Sequence, residues 1–132
     1  MHAAFMGSLK TSLLSLILAG ANALPAHAFE QQPLELFATC AGQLSAQLEF
    51  QWLLNNPEAE VTEARRKGVL DLLEAVLEPG QERYALATRI SAKQAHAALL
   101  TRATFNENAD DAAWAATLAS DQQAICASLL LG

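Results

Sequence analysis

The stretch Leu34 to Trp52, LELFATCAGQLSAQLEFQW, sets apolar side chains at Leu34, Phe37, Ala41, Leu44, Leu48 and Trp52. Steps of three and four put these residues on one face of an α-helix, a period that a strand cannot use. Pro33 just ahead suits a first turn, which needs no amide donor there. Asn55-Asn56-Pro57 supplies the stop. The reading is a helix from Leu34, preceded by a short polar leader, Phe29 to Gln32.

Three more segments follow the same logic. Asn56 as cap, Pro57 at the first position and Glu58 and Glu60 near the positive dipole end open a second helix with Val61, Ala64, Val69, Leu72, Leu73, Val76 and Leu77 on its apolar face. Gly68 interrupts it, a loss unless a neighbouring helix needs the space. Pro79-Gly80 turns the chain into a third helix, about Glu82 to Thr104, with Leu86, Ile90, Ala97 and Leu100 as its stripe. Phe105 to Asn108 breaks the pattern. A fourth helix starts near Asp110 and Asp111, which suit a cap and first turn, and carries Trp114, Leu118, Ile125 and Leu129. Four segments with connections this short fit an all-α, antiparallel up-down-up-down four-helix bundle. Composition agrees: the chain of 132 residues is 52% hydrophobic, mostly Ala and Leu, and only 6% aromatic, which starves a sheet of its preferred residues. Its length fits one domain.

The first 28 residues read as a cleavable secretory signal, with Lys10, a short apolar run from Leu13 to Leu24, and Ala26-His27-Ala28 as the small-residue cleavage site. The mature chain then starts at Phe29, a single domain over 29–132, periplasmic or secreted. An uncleaved anchor is the competing reading, but the run is shorter than the ~20 residues a span requires. No Cys stands at the cleavage point to accept a lipid. Without residues 1–28 the chain loses one base and no acid, leaving 7 basic and 14 acidic residues, net −7. Such a charge argues against nucleic acid as a partner. The one basic cluster, Arg65-Arg66-Lys67, follows Glu58, Glu60 and Glu63 in the order that a helix dipole and side-chain pairs explain.

Cys40 and Cys126 are the most informative pair. In an antiparallel bundle the start of the first helix lies beside the end of the fourth, and each cysteine sits about two turns from that shared end. An exporting compartment favours pairing, so one disulfide is expected, with two buried thiols as the alternative.

The chain lacks Cys-x-x-Cys, a Gly-rich phosphate loop and Gly-x-Ser-x-Gly, so it offers no motif for haem attachment, thiol exchange, nucleotide binding or a nucleophile elbow. No cofactor or metal is implied. His96 is the only histidine after residue 28, a weak basis for a metal site or a Ser-His-acid triad. Trp52 and Trp114 stand at core spacing, which favours packing over a ligand pocket. Measured along parallel first and third helices, Glu49 and His96 come out level. A pair there raises the imidazole pKa and, with Trp52, Arg89 and Lys93 nearby, outlines a candidate ligand site.

Phe37-Ala38-Thr39-Cys40-Ala41-Gly42-Gln43-Leu44-Ser45-Ala46-Gln47-Leu48-Glu49 resembles the opening helix of a family of small exported helical bacterial proteins, and Ala97 to Phe105 is similar to their third helix. The resemblance implies export and a paired-cysteine framework, and no activity. The expected role is a non-enzymatic bundle that binds a partner protein or small ligand and does not stay inserted in a membrane. The alternatives are a small-molecule or metal carrier with an inter-helix pocket near His96, or a hydrolase using His96 with carboxylates.

Overall fold

The computed structural model describes the backbone of residues 26–131, with side chains from Gln32 onward. The apolar run and Lys10 of the signal lie outside the described residues. Four helices make up the regular structure described: α1 (Ala26–Leu53), α2 (Ala59–Val76), α3 (Glu82–Phe105) and α4 (Ala109–Ser128). None is long and apolar enough to cross a membrane.

Local chemistry sets the boundaries. Asn55 adopts a left-handed backbone (φ 52°) and closes α1. Its N–H donates to Trp52 O at 3.2 Å, and the N–H of Asn56 donates to Gln51 O at 2.8 Å. These two bonds satisfy carbonyls that a helix end otherwise orphans. Asn56 Oδ1 then accepts from Glu58 N at 2.9 Å, so it organises the turn ahead of α2 and does not cap the helix itself. Asn108 caps α4 by accepting from Asp111 N at 3.0 Å, which places Asp110 and Asp111 in the first turn. The polar leader is a correction: residues 29–32 are helical and Pro33 lies inside α1, not at its start. Leu34, 1% exposed, anchors the helix immediately after the proline.

The helices alternate in direction, but sequence neighbours are not the main packing partners. α1 packs most extensively on α3, which runs parallel to it, then on antiparallel α2, and least on α4. Gly42 makes this possible. A Cβ there would sit 2.2 Å from Arg89 O and 2.9 Å from Lys93 N, so the two backbones touch at a point that only glycine permits. Gly68, by contrast, faces the Leu130 side chain and no helix backbone. Buried residues fall on several sides of α1: Leu34, Ala38, Cys40, Ala41, Leu44, Ala46, Leu48 and Gln51.

Close approach also decides which residues go inside. On α3 the buried residues are Ala85, His96, Leu99 and Leu100, and on α4 they are Ala115, Ala119 and Cys126. The larger residues expected there point outward, with Leu86, Ile90, Trp114 and Ile125 all about half exposed, like Trp52 on α1 and Val61 on α2. Where α1 and α3 are drawn together at Gly42, the seam has room for Ala85 and little for Leu or Ile. Trp114 instead lies under Arg102, whose guanidinium carbon is 5.0 Å from the ring centre. Arg102 also donates to Asp111 at 2.5 Å, holding that carboxyl below its usual range and tying the end of α3 to the start of α4.

Cys40 and Cys126 form the disulfide, with Cα atoms 5.5 Å apart and a sequence separation of 86. It sits within an apolar cluster of Leu34, Ala38, Ala41, Leu44, Val69, Leu73 and Ala85.

Candidate functional site

Three helices of an acidic chain supply an open groove dominated by cations. Its floor is α1 at Gly42, Ser45 and Leu48, flanked by Glu49 and Trp52. Arg66 of α2 forms one wall, and Leu86, Arg89, Ile90 and Lys93 of α3 form the other. Its volume is about 250 Å³. The lone glycine contact brings α3 down onto α1 so that residues one turn apart on α3, Leu86, Arg89, Ile90 and Lys93, share a single edge of the groove.

Three bases face one acid here. Lys93 Nζ donates to Glu49 Oε1 at 2.6 Å, and both side chains are substantially exposed, so solvent screens the pair. Arg66 Nε donates to Ser45 Oγ at 2.8 Å, and that hydroxyl donates in turn to Ala41 O at 2.7 Å. The chain of bonds uses the Nε–H of Arg66 and leaves its four terminal N–H donors for other partners. Leu48 is buried beneath, while Trp52, Leu86 and Ile90 keep about half their surface exposed around the opening. The groove thus joins apolar walls to a net positive rim on a protein of net charge −6.

Of the residues expected to form a site, Glu49, Trp52, Arg89 and Lys93 come together here, and His96 does not. His96 lies on the side of α3 that meets α4, 1% exposed. Its Nδ1 is 2.8 Å from Gln122 Oε1, its Nε2 is 2.9 Å from Gln47 Oε1, and Gln123 Nε2 is 3.3 Å from the same ring nitrogen. The expected Glu49–His96 pair is therefore corrected: Glu49 pairs with Lys93, and His96 is held by carboxamides. Its pKa moves opposite to expectation as well. Burial pushes it down, and the Gln122 hydrogen bond offsets only part of that. A neutral ring donates from Nδ1 to Gln122 and accepts at Nε2 from the Gln123 amide. The Gln47 carboxamide joins the same arrangement when it presents its NH2 group to Nε2.

These glutamines were the missed signal. Gln43, Gln47 and Gln51 recur every four residues along α1, a polar row that is partly or fully buried, and Gln122-Gln123 lie on α4, where Gln122 and Gln123 meet His96. A hydropathy reading discards such a row as surface. Among the described residues no group of three or more His, Cys, Asp or Glu side chains gathers where it could hold a metal ion. Comparison with protein-family models, with curated proteins and with solved structures finds no significant match for the chain.

Proposed function

We propose that this is an exported, non-enzymatic helical bundle of the small bacterial kind its first and third helices resemble, and that it binds a small organic anion in the groove between α2 and α3. The observation that carries this reading is the convergence of Arg66, Arg89 and Lys93 on one apolar-walled groove, against the sign of the whole chain. Scattered surface charge does not require three cations around one opening, and a single carboxylate, already held by Lys93, leaves two guanidinium groups without an acidic partner in the groove. Guanidinium groups recognise carboxylate and phosphate through paired N–H donors. Trp52, Leu86 and Ile90 favour a ligand with an apolar or aromatic body behind its anionic head. Ala26-His27-Ala28 and the disulfide support export, with a mature start at Phe29.

His96 gives a hydrolase reading little support, because both of its ring nitrogens face carboxamides and no carboxylate orients it. The test of the binding reading is titration with benzoate and phenylphosphate, with benzyl alcohol as the neutral counterpart, followed by the indole N–H resonance of Trp52. The anions are expected to bind and the alcohol to bind at least about tenfold more weakly, with Arg66→Gln and Arg89→Gln each reducing anion affinity by about tenfold or more. Equal binding of anion and alcohol, or unchanged affinity in both variants, rejects the reading.

A further inference from the structure

We propose that the cationic groove is specific for a phosphate monoester of a small apolar or aromatic alcohol, whose dianionic head bridges Arg66 of α2 and Arg89 of α3; this deepens the anion-binding reading and rests on it. The two arginines stand on facing walls of one groove. Arg66 meets α1 at Ser45, where its Nε donates to the hydroxyl oxygen, and the Arg89 backbone meets α1 at Gly42. Those two contacts are three residues apart on α1, about 4.5 Å along the helix axis. Both side chains therefore start from neighbouring levels and can close on one group from opposite sides.

Donor and charge counts choose the head group. Arg66 spends its Nε–H on Ser45 and keeps its four terminal N–H donors. Arg89 brings a second planar fork, and the one carboxylate among the described lining residues, Glu49, is already held by Lys93 at 2.6 Å. Three bases against one acid leave the lining a surplus of two positive charges. A carboxylate carries one charge on one pair of oxygens, and a single fork saturates that pair. A phosphate monoester has three terminal oxygens and a charge of about −1.5 to −2 at neutral pH, so it offers a different oxygen pair to each fork and cancels most of the surplus. The open side of the groove keeps part of the head hydrated, which limits the cost of taking a dianion out of water. Leu48 on the floor, with Trp52, Leu86 and Ile90 around the opening, seats the organic part of the ester, a contact that inorganic phosphate cannot make.

The test is titration of the oxidised protein at about pH 8, above the second ionisation of the monoester, with four probes followed through the Trp52 indole N–H and the Ser45 amide. The probes are phenylphosphate, methyl phenyl phosphate with one charge and two terminal oxygens on the same ring, inorganic phosphate, and benzyl alcohol. Phenylphosphate is expected to bind at least about tenfold more tightly than methyl phenyl phosphate and than inorganic phosphate. Arg66→Lys and Arg89→Lys each keep the charge and remove a fork, so in each the preference for monoester over diester should fall to about threefold or less while both anions still outbind benzyl alcohol. If diester and monoester bind equally and both outbind the alcohol, the anion site stands and this proposal fails. If no anion outbinds the alcohol, the groove reading itself fails and takes the proposal with it. A tenfold preference that survives both lysine variants overturns it too, because charge alone then reads the head. Inorganic phosphate binding as tightly as phenylphosphate overturns it by showing that the apolar walls play no part.

Discussion

At the end of the bundle where Cys40 meets Cys126, Leu34, Leu44, Val69 and Leu73 close around the disulfide. At the opposite end, Leu99, Leu100, Ala115 and Ala119 share the interior with His96, Gln51 and Thr62, and Trp52, Leu53, Phe105 and Trp114 stay largely outside. The same four helices thus run from a dry, covalently fastened end into a thin, amide-lined one. Large aliphatic side chains at the first end contribute burial and dispersion. The second end gives up that burial for polar groups that need partners. Burial of large aliphatic side chains is thus concentrated at the first end and buried polar groups at the second.

The largest effect should come from opening the dry end. A Cys40→Ala/Cys126→Ala protein loses a cross-link spanning 86 residues, for which chain entropy gives a loss of about 4–5 kcal/mol and experience with small domains about 2–5. Urea unfolding of the oxidised wild type and the double variant measures it. A loss below about 1 kcal/mol would mean that the apolar cluster holds this end unaided.

Gly42→Ala should follow, because the new Cβ meets the Arg89 carbonyl at 2.2 Å and backbone cannot yield as a flexible side chain does. Overpacking of this kind costs about 1–3 kcal/mol. Since Gly42 also floors the cationic groove, the variant should weaken anion binding together with stability. Gly68→Ala meets only the Leu130 side chain and should cost less. If the two substitutions prove equal in urea unfolding, the tight α1–α3 contact is not the feature that organises the bundle.

The same contact explains what could be read in the sequence. Helix number, the stops at Asn55 and Gly80 and the disulfide follow from local turn chemistry and topology, which residue types announce. The interior of α3 and α4 does not, because both helices carry apolar residues all round and spacing alone cannot rank their faces. Leu86 and Ile90 look like core until Gly42 draws α3 onto α1, where Ala85 is buried in their place, and on α4 Ala115 and Ala119 are buried while Trp114 is half exposed. The register between α1 and α3 was legible to about one turn, since counting along parallel helices brings Glu49 level with His96, whereas Glu49 meets Lys93 and His96 meets Gln47. The angular position was not. Three residues beyond Lys93, His96 has swung to the α4 side, where the glutamine row meets it.

His96 offers a pH test confined to the wet end. Its pKa is lowered by burial, so the unfolded chain takes up a proton near pH 6.5 while the folded chain does not. The stability contributed by the neutral ring is complete above that pH and is lost as pH falls through 6.5 toward the folded-state value. One group limits the slope to about 1.4 kcal/mol per pH unit. Urea midpoints between pH 7.5 and pH 5 should therefore fall in the wild type and stay nearly level in His96→Gln. A slope that survives the substitution assigns the effect to other groups.

The smallest expected change has the opposite sign. Gln51 is buried at 4% exposure with an unpaired Oε1, and such a group weakens a fold by its lost hydration, at about 1–3 kcal/mol for a typical buried polar atom. Leu has similar volume and no polar atoms. Gln51→Leu removes the penalty and adds apolar surface beside Leu100 and Ala119, so the protein should become more stable, by up to about 1 kcal/mol once the loss of the Gln51 side-chain N–H groups is set against the gain. Thermal unfolding at matched pH measures the shift. A rise in Tm identifies Gln51 as a residue whose buried polarity weakens the fold. A fall in Tm would mean that Gln51 Oε1 is already satisfied inside the protein by ordered water, and that the wet end is held together by its amides rather than weakened by them.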